Sequence, residues 1–303
     1  MTGIIVLDKP EGFTSFDAVA VVRKLTGERK IGHTGTLDPM ATGVLPILLG
    51  RAAKALEHLP DTNKSYEAGF KLGVLTDTED ITGKITAEDE KPKKITKEEI
   101  ESILINFTGK IMQVPPMYSA VSVNGQRLYD LARKGIEIER EAREIFVSEL
   151  ELLEFNSETL EGKLKIACSK GTYVRTLIKD IAVSLGFVGG IMTSLRRTTA
   201  CGFSESDAIT LDELKKLKEE GEILKVLRPV EMLFSDFISV KVSEMQAKRF
   251  KNGGELDLDR LKMPRIRLIQ DMPVNVYGEK YIGLGKIDLE TNSLKILKLF
   301  DLD

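Results

Sequence analysis

Three glycines and two prolines crowd residues 32–46, and they make this stretch a shaped loop rather than a regular element. Asp38 directly precedes Pro39, and clash with the proline ring biases the residue before it toward extended backbone. Glycines 32, 35 and 43 admit backbone angles closed to other residues. The loop carries one carboxylate and one of the chain's 2 histidines, so it holds one acid in a fixed pose. The bland reading is a turn-rich connector whose Asp38 caps a backbone N–H.

Composition bounds the remainder. A chain of 303 residues suggests about two domains. Hydrophobic residues at 42% and charged residues at 30% describe an ordinary soluble globular protein. The longest apolar run, near residues 44–49, contains Pro46 and falls far short of the ~20 residues of a membrane span. The N-terminus lacks a basic start and a long apolar stretch, so no signal peptide is expected and the location is cytoplasmic. Cys168 and Cys201 lack metal-ligand spacing and fit a reducing compartment. With only His33 and His58 as histidines, no metal site is expected. A net charge of −3 argues against indiscriminate coating of nucleic acid, yet allows a local basic surface. Candidate pieces are Arg23/Lys24 with Arg29/Lys30, Arg51/Lys54, Lys163/Lys165/Lys170 and Arg196/Arg197; each alone also reads as a solvated face.

The element order is α+β. Residues 3–7 read as a buried strand, and Thr14 with Asp17 forms a capping box for a helix stopping at Gly27. Residues 64–72 alternate as a strand carrying Tyr66, 73–83 are turn-rich, and 84–95 are a polar surface connection. Thr96 and Glu99 cap a helix with Ile100, Ile103, Leu104 and Phe107 on one face. Pro115, Pro116, Asn124 and Gly125 make residues 114–135 a loop or hairpin with a short helix. Strands at 145–155 and 163–168 precede an amphipathic helix with Leu177, Ile178, Ile181 and Leu185 buried and Gly186 as its stop. Thr210 and Glu213 open another helix. After Pro229, short runs at 237–242, 265–270, 274–277, 281–284 and 294–299 are strands of a small β-barrel, with a short helix at 244–250.

Four stretches in order resemble the bacterial-type tRNA pseudouridine synthases that act on the T-loop uridine. They are Leu7-Asp8-Lys9-Pro10-x-Gly12-x-Thr14-Ser15, the 32–46 loop, Lys64-Ser65-Tyr66 with Thr76-Asp77-Thr78-x-Asp80, and residues 169–176 followed by a loop at Leu195-Arg196-Arg197. Ser65 departs from a commonly basic position, and residues 186–195 are about one residue longer than in some relatives. The resemblance implies a pseudouridine synthase catalytic domain over 1–231, built on a mixed, mainly antiparallel sheet with flanking helices. An insertion at about 112–143 grips the T-arm, so Tyr118 and Arg127 touch RNA. Residues 232–303 resemble a PUA-like RNA-binding barrel.

The implied reaction isomerises the uridine at tRNA position 55 to pseudouridine without a cofactor. The enzyme is expected to act on tRNA as a monomer, without an obligatory protein partner or a membrane. Glycosidic cleavage needs an anion, which stabilises positive charge at the sugar or attacks ribose or base. The resemblance gives that role to Asp38 and places Arg175 beside it, where a guanidinium favours the ionised form. Without the motif, Arg175 reads as a surface residue of a helix's first turn. Tyr66 lies against the uracil, where a phenol can also move a proton at C5, and Tyr173 sits beside it; from propensity alone Tyr66 is a half-buried strand aromatic. His33 fills or braces the space the base leaves, Leu195 walls the uracil, and Asp80 orients Arg175 or the loop. Lys9 and Lys170 meet phosphates. Three rival readings are a non-catalytic tRNA-binding or folding protein, a guide-RNA-dependent synthase, and a hydrolase releasing uracil.

Overall fold

Residues 4–7 are apolar without a break because the strand they form is covered on both sides. Ile5 and Leu7 enter one core with Leu45, Ile47 and Leu49, while Ile4 and Val6 enter a second with Val44 and Leu48. The structure, a computed structural model, describes residues 1–60, 63–119, 121–123, 125–264 and 267–300.

From that strand, β1 (Gly3–Lys9), the chain passes through α1 (Ser15–Thr26) into β2 (Ile31–His33), β3 (Thr42–Leu49) and β4 (Lys64–Leu72). A two-stranded arm of β5 (Val74–Thr76) and β6 (Ile85–Glu88) precedes α2 (Lys97–Leu104) and β7 (Gly109–Gln113). A small hairpin, β8 (Ser122–Val123) with β9 (Gln126–Arg127), leads to α3 (Leu128–Ala132); Asn124, expected at its turn, lies outside the described residues. Then come β10 (Arg143–Asn156), β11 (Glu161–Cys168), α4 (Val174–Ser184), β12 (Gly190–Ala200), β13 (Phe203–Ser204) and α5 (Leu211–Glu219).

The large sheet runs β1-β3-β12-β4-β11-β10-β7, with β2 on β3 and β13 on β12. Its one parallel pairing, β3 with β12, joins only Thr42 to Arg196 and Gly43 to Arg197. The sheet is thus mixed and mainly antiparallel, with helices flanking it. Val22 of α1, Ile100 of α2, Leu177 of α4 and Leu214 of α5 share one core with Tyr66 and Phe70 of β4. Capping boxes at Thr14–Asp17, Thr96–Glu99 and Thr210–Glu213 start three of these helices where the sequence placed them.

The C-terminal part holds β14 (Ile238–Lys241), α6 (Glu244–Lys251), β15 (Leu256–Asp257), β16 (Pro273–Tyr277), β17 (Tyr281–Asp288) and β18 (Ser293–Leu299). The strands run β14-β16-β17-β18-β15 and curl into a PUA-like half-barrel around Val240, Phe250, Val276 and Ile287. Its other side, through Tyr281, Leu284 and Phe300, packs with Phe234, Ile4 and Val6.

Four expectations are corrected. Residues 42–46 belong to β3, not to the loop; Pro46 has no N–H to give, and its carbonyl accepts from Thr34 N at 3.2 Å. Leu195, Arg196 and Arg197 lie in β12, where buried arginine disguises a strand between β3 and β4. Of the strand expected at 265–270, Arg265 lies outside the described residues and 267–270 is irregular. The polar connection after Gly83 also contributes β6.

Candidate active site

The N-terminal signature works as a clamp on the loop that carries Asp38. Lys9 has no exposed surface, and its ammonium donates to the carbonyls of Pro10 (2.8 Å), Phe13 (2.6 Å) and Pro39 (3.3 Å). Gly12 N donates to Pro39 O at 2.9 Å, and Leu37 N donates to Ser15 Oγ at 2.9 Å. Inside the loop, Ala41 N closes a turn onto Asp38 O at 3.0 Å. At its exit Gly43 takes φ +101°, and a Cβ there would stand 2.3 Å from the carbonyl oxygen of Arg197. Only glycine lets β3 come this close to β12.

Arg175, the second residue of α4, reaches Asp38 with two nitrogens. Nε stands 3.0 Å from Asp38 Oδ2, and Nη2 donates to Oδ1 at 3.3 Å. The Arg175 side chain is 7% exposed and that of Asp38 34%. The guanidinium is fixed from behind: Nη1 donates to Thr78 O at 2.8 Å, and Nη2 also donates to Tyr118 O at 3.0 Å. Asp80 Oδ2 lies 3.9 Å from Nη1, while its Oδ1 accepts from Thr78 Oγ1, Thr82 N and Thr82 Oγ1 at 2.6–2.9 Å. Glu79, at φ +62°, turns the chain between Thr78 and Asp80. Its carboxylate accepts from Thr176 Oγ1 at 2.6 Å and pairs with Lys179, both on the helix of Arg175.

Burial pushes the Asp38 carboxyl above the ordinary aspartate value; Arg175 opposes the rise and Asp80 adds to it. The carboxylate is therefore poorly hydrated and held chiefly by one guanidinium. Such an anion is reactive when it is ionised.

The sheet supplies the neighbouring wall. Tyr66 on β4 is buried, paired across to Ile166 on β11 and to Arg197 on β12. Burial drives its phenol up to about 12, the nearby Arg197 guanidinium pulls it down, and Asp38 is close enough to add to the rise. Leu195, buried opposite Ala68, lies two residues along β12 from Arg197 and so on the same face. Tyr173 precedes α4, with its N–H on Gln113 Oε1 (2.8 Å) and its carbonyl taking Gln113 Nε2 (3.1 Å). His33 ends β2; its Nδ1 accepts from Gly35 N at 3.3 Å, its ring meets that of Phe16 edge-on at 5.8 Å, and burial lowers its pKa. Lys170 is exposed in the turn before α4.

The structure thus gathers Asp38, Arg175 and Asp80 in one hydrogen-bonded cluster beside Tyr66 and Leu195. It does not present Lys9 to a phosphate: the ammonium is enclosed and occupied by three carbonyls, so it positions the Asp38 loop instead. Arg196 is likewise spent inside the protein, on Asp8 at 3.0 Å and on Glu205. Lys163 and Lys165 pair with Glu154 and Glu149, whereas Arg23, Lys24, Arg29, Lys30 and Lys54 are exposed. Sequence reasoning passed over the carbonyls of Thr78 and Tyr118, the Glu79 clamp and Gln113, because backbone acceptors and a lone glutamine leave no pattern. Lys64 carried a signal, standing two residues before Tyr66 on the same strand face. Among the described residues no group of three or more His, Cys, Asp or Glu could hold a metal ion. No helix among them is long and apolar enough to cross a membrane.

A carboxylate gripped by a buried guanidinium, near a buried phenol on a central strand of a mixed sheet, has the make-up of an enzyme's reacting centre. The model described as "TruB family pseudouridylate synthase (N terminal domain)" matches residues 23–174, and that of the "tRNA pseudouridylate synthase B C-terminal domain" matches 175–235. A protein named tRNA pseudouridine synthase B from Clostridium tetani is 41% identical over 99% of each chain. Its namesake from Geobacillus thermodenitrificans is 44% identical, covering 85% of this chain and 86% of its own. Among solved structures, a chain in "Crystal Structure of a Cbf5-Nop10-Gar1 Complex" superposes with a TM-score of 0.76 at 26% identity, over 99% of this chain and 85% of that one. The chain belongs to the TruB family of pseudouridylate synthases.

Proposed function

We propose that this protein is a tRNA pseudouridine synthase that isomerises the T-loop uridine at position 55, with Asp38 as the essential carboxylate. The observation that carries the reading is the two-point hold of Arg175 on Asp38, whose charge reaches the buried phenol of Tyr66. A uridine stacked in a folded loop must be extruded to reach that acid, at a cost of a few kcal/mol. Stacking on an aromatic ring, at ~1–3 kcal/mol per base, offsets much of it. Tyr66 and Tyr173 receive the uracil, Leu195 walls it, and His33 fills the gap left in the loop. Asp38 attacks, or stabilises charge at the sugar, as the N-glycosidic bond breaks; the base turns and C5 rejoins the ribose. Tyr66, whose burial keeps it protonated at neutral pH, is the candidate to relay the C5 proton. Asp80 and Lys9 act behind the site, on Arg175 and on the loop, and Lys170 meets the RNA backbone.

Residues 1–231 form the catalytic domain in this reading, with an insertion at about 112–143 that grips the T-arm through Tyr118 and Arg127. The PUA-like part, 232–303, adds RNA contacts. The enzyme acts as a monomer in the cytoplasm, without guide RNA, protein partner or cofactor. The experiment is carbodiimide primer-extension mapping of tRNA treated with the purified protein, alongside Asp38→Asn. One new stop at the T-loop uridine, unchanged RNA mass and a silent variant are expected. Turnover by Asp38→Asn at the parent rate, or release of free uracil, overturns the assignment.

A further inference from the structure

Arg197 heads the large side chains that are buried completely, and its guanidinium is only partly satisfied. Nε donates to Val44 O at 2.7 Å and Nη2 to Gly35 O at 3.2 Å, but the buried Nη1 has no hydrogen-bond partner among the described residues. A buried charged donor left unmatched costs at least about 1–3 kcal/mol. Beside it stands Lys64, the half-buried first residue of β4. From the point a Cβ on Gly35 would occupy, Lys64 Nζ is 2.6 Å away and Arg197 Nη1 3.8 Å. Among the described residues no carboxylate forms an ion pair with either cation. Burial, and then the Arg197 charge, hold the Lys64 ammonium below the ordinary lysine value. Both cations also act on His33, at the rim of the same turn. Two positive groups packed together without a counter-charge make an incomplete cluster, and an anion completes it.

We infer that Lys64 and Arg197 form a phosphate-binding site beneath the Gly35 turn, which takes the RNA phosphodiester adjoining the extruded nucleotide. This rests on the function proposed above. The β4–β12 register sets Arg197 directly across from Tyr66, so the site borders the phenol expected against the uracil. An extruded nucleotide carries its phosphates one sugar away from its base, which suits that adjacency. The two cations divide the work. Arg197, locked by two carbonyls, is a fixed charge; Lys64, on a flexible four-carbon stem, moves to meet the oxyanion.

The test uses a T-arm stem-loop RNA and versions of it bearing one neutral methylphosphonate at each phosphate flanking the target uridine. Binding is measured across a salt series for the parent, Lys64→Met and Lys64→Arg, and pseudouridine is scored on the same RNA. Lys64→Met is expected to weaken binding on the order of tenfold, the scale of one charged hydrogen bond. It should make the salt slope shallower by about 1. One methylphosphonate should weaken the parent clearly more than it weakens Lys64→Met, which keeps only the Arg197 contact, and Lys64→Arg should restore binding. Parental affinity and salt slope in Lys64→Met, or equal loss in both proteins with every methylphosphonate, overturns the inference. Because pseudouridine is scored separately, a failure of the proposed function shows as a parent that binds and does not isomerise.

Discussion

The enclosed ammonium of Lys9 donates to the carbonyl of Pro39, the residue that follows Asp38, at 3.3 Å. Lys9 and the loop that carries Asp38 are thereby one mechanical unit. Lys9→Met strands the carbonyls of Pro10 and Phe13 and leaves Pro39 O to Gly12 N alone, at a cost on the order of 2–3 kcal/mol. It should lower kcat while the salt dependence of RNA binding stays at the parent's slope. A phosphate contact would instead give a shallower slope. Burial also drives the Lys9 ammonium down to about 8, against 10.5 in an open chain. Between those values the unfolded chain holds the proton more tightly, so folding is favoured as pH rises. Melting temperatures from pH 8 to 10.5 should move in favour of the parent relative to Lys9→Met.

Arg175 does for Asp38 what a lysine cannot. Its Nε and Nη2 engage both carboxylate oxygens while Nη1 and Nη2 also hold the carbonyls of Thr78 and Tyr118. Lysine offers one point charge and no fork. Arg175→Lys should therefore reduce kcat by about 10²–10³, the scale for losing one oriented donor at a reacting centre. RNA affinity should stay within a few fold, since the substitution keeps the positive charge and the Arg175 side chain is 7% exposed. Single-turnover rates with excess enzyme read the first number and filter binding the second; parental turnover would remove Arg175 from the mechanism.

The Asp38 carboxyl sits above the ordinary aspartate value because its surroundings strip it of water. The function proposed for Asp38 needs its ionised form, so the acid limb of the single-turnover pH profile should lie above the 3.8 of a free aspartate. The same desolvation opposes folding. The folded state binds the Asp38 proton more tightly than the unfolded chain does, so stability falls as pH rises through that range. Asp38→Asn removes the liability and should melt no lower than the parent at pH 7, the advantage shrinking as pH falls toward 3.8. An inactive Asp38→Asn that melts well below the parent at pH 7 would show that the acid stabilises the fold.

The helices were legible because their starts are chemical signatures. Thr14–Asp17, Thr96–Glu99 and Thr210–Glu213 each close a capping box, and Gly27 ends the first helix in the left-handed region. The strand at Lys64–Leu72 was equally plain, since one element carries its own alternation. β12 was not, because Arg196 and Arg197 read as surface until Asp8, Glu205, Val44 and Gly35 are brought to them from elsewhere in the chain. Lys9 misled for the same reason: a buried ammonium satisfied by carbonyls leaves no trace in side-chain order. The acid, guanidinium and phenol were singled out through motifs, and the fold sets them near one another. The Thr78, Tyr118 and Gln113 contacts that hold them depend on backbone positions fixed only by the folded sheet.

Phe16 presents an exposed ring beside His33. It is 69% exposed in the first turn of α1, and its ring stands edge-on to His33 at 86°. Burial lowers the His33 pKa, so at neutral pH the imidazole is uncharged and the pair forms an aromatic ledge rather than a cation. A ledge of this kind suits an unstacked base at the lip of the loop, where a contact is worth ~1–3 kcal/mol. Phe16→Ala should then raise the Kd for T-arm RNA about tenfold, with single-turnover kcat held within a few fold and the melting temperature unmoved. Phe16→Trp should bind as tightly as the parent. Unchanged affinity in the alanine variant would mean that the ring serves only to brace His33, and the loss would then appear in kcat.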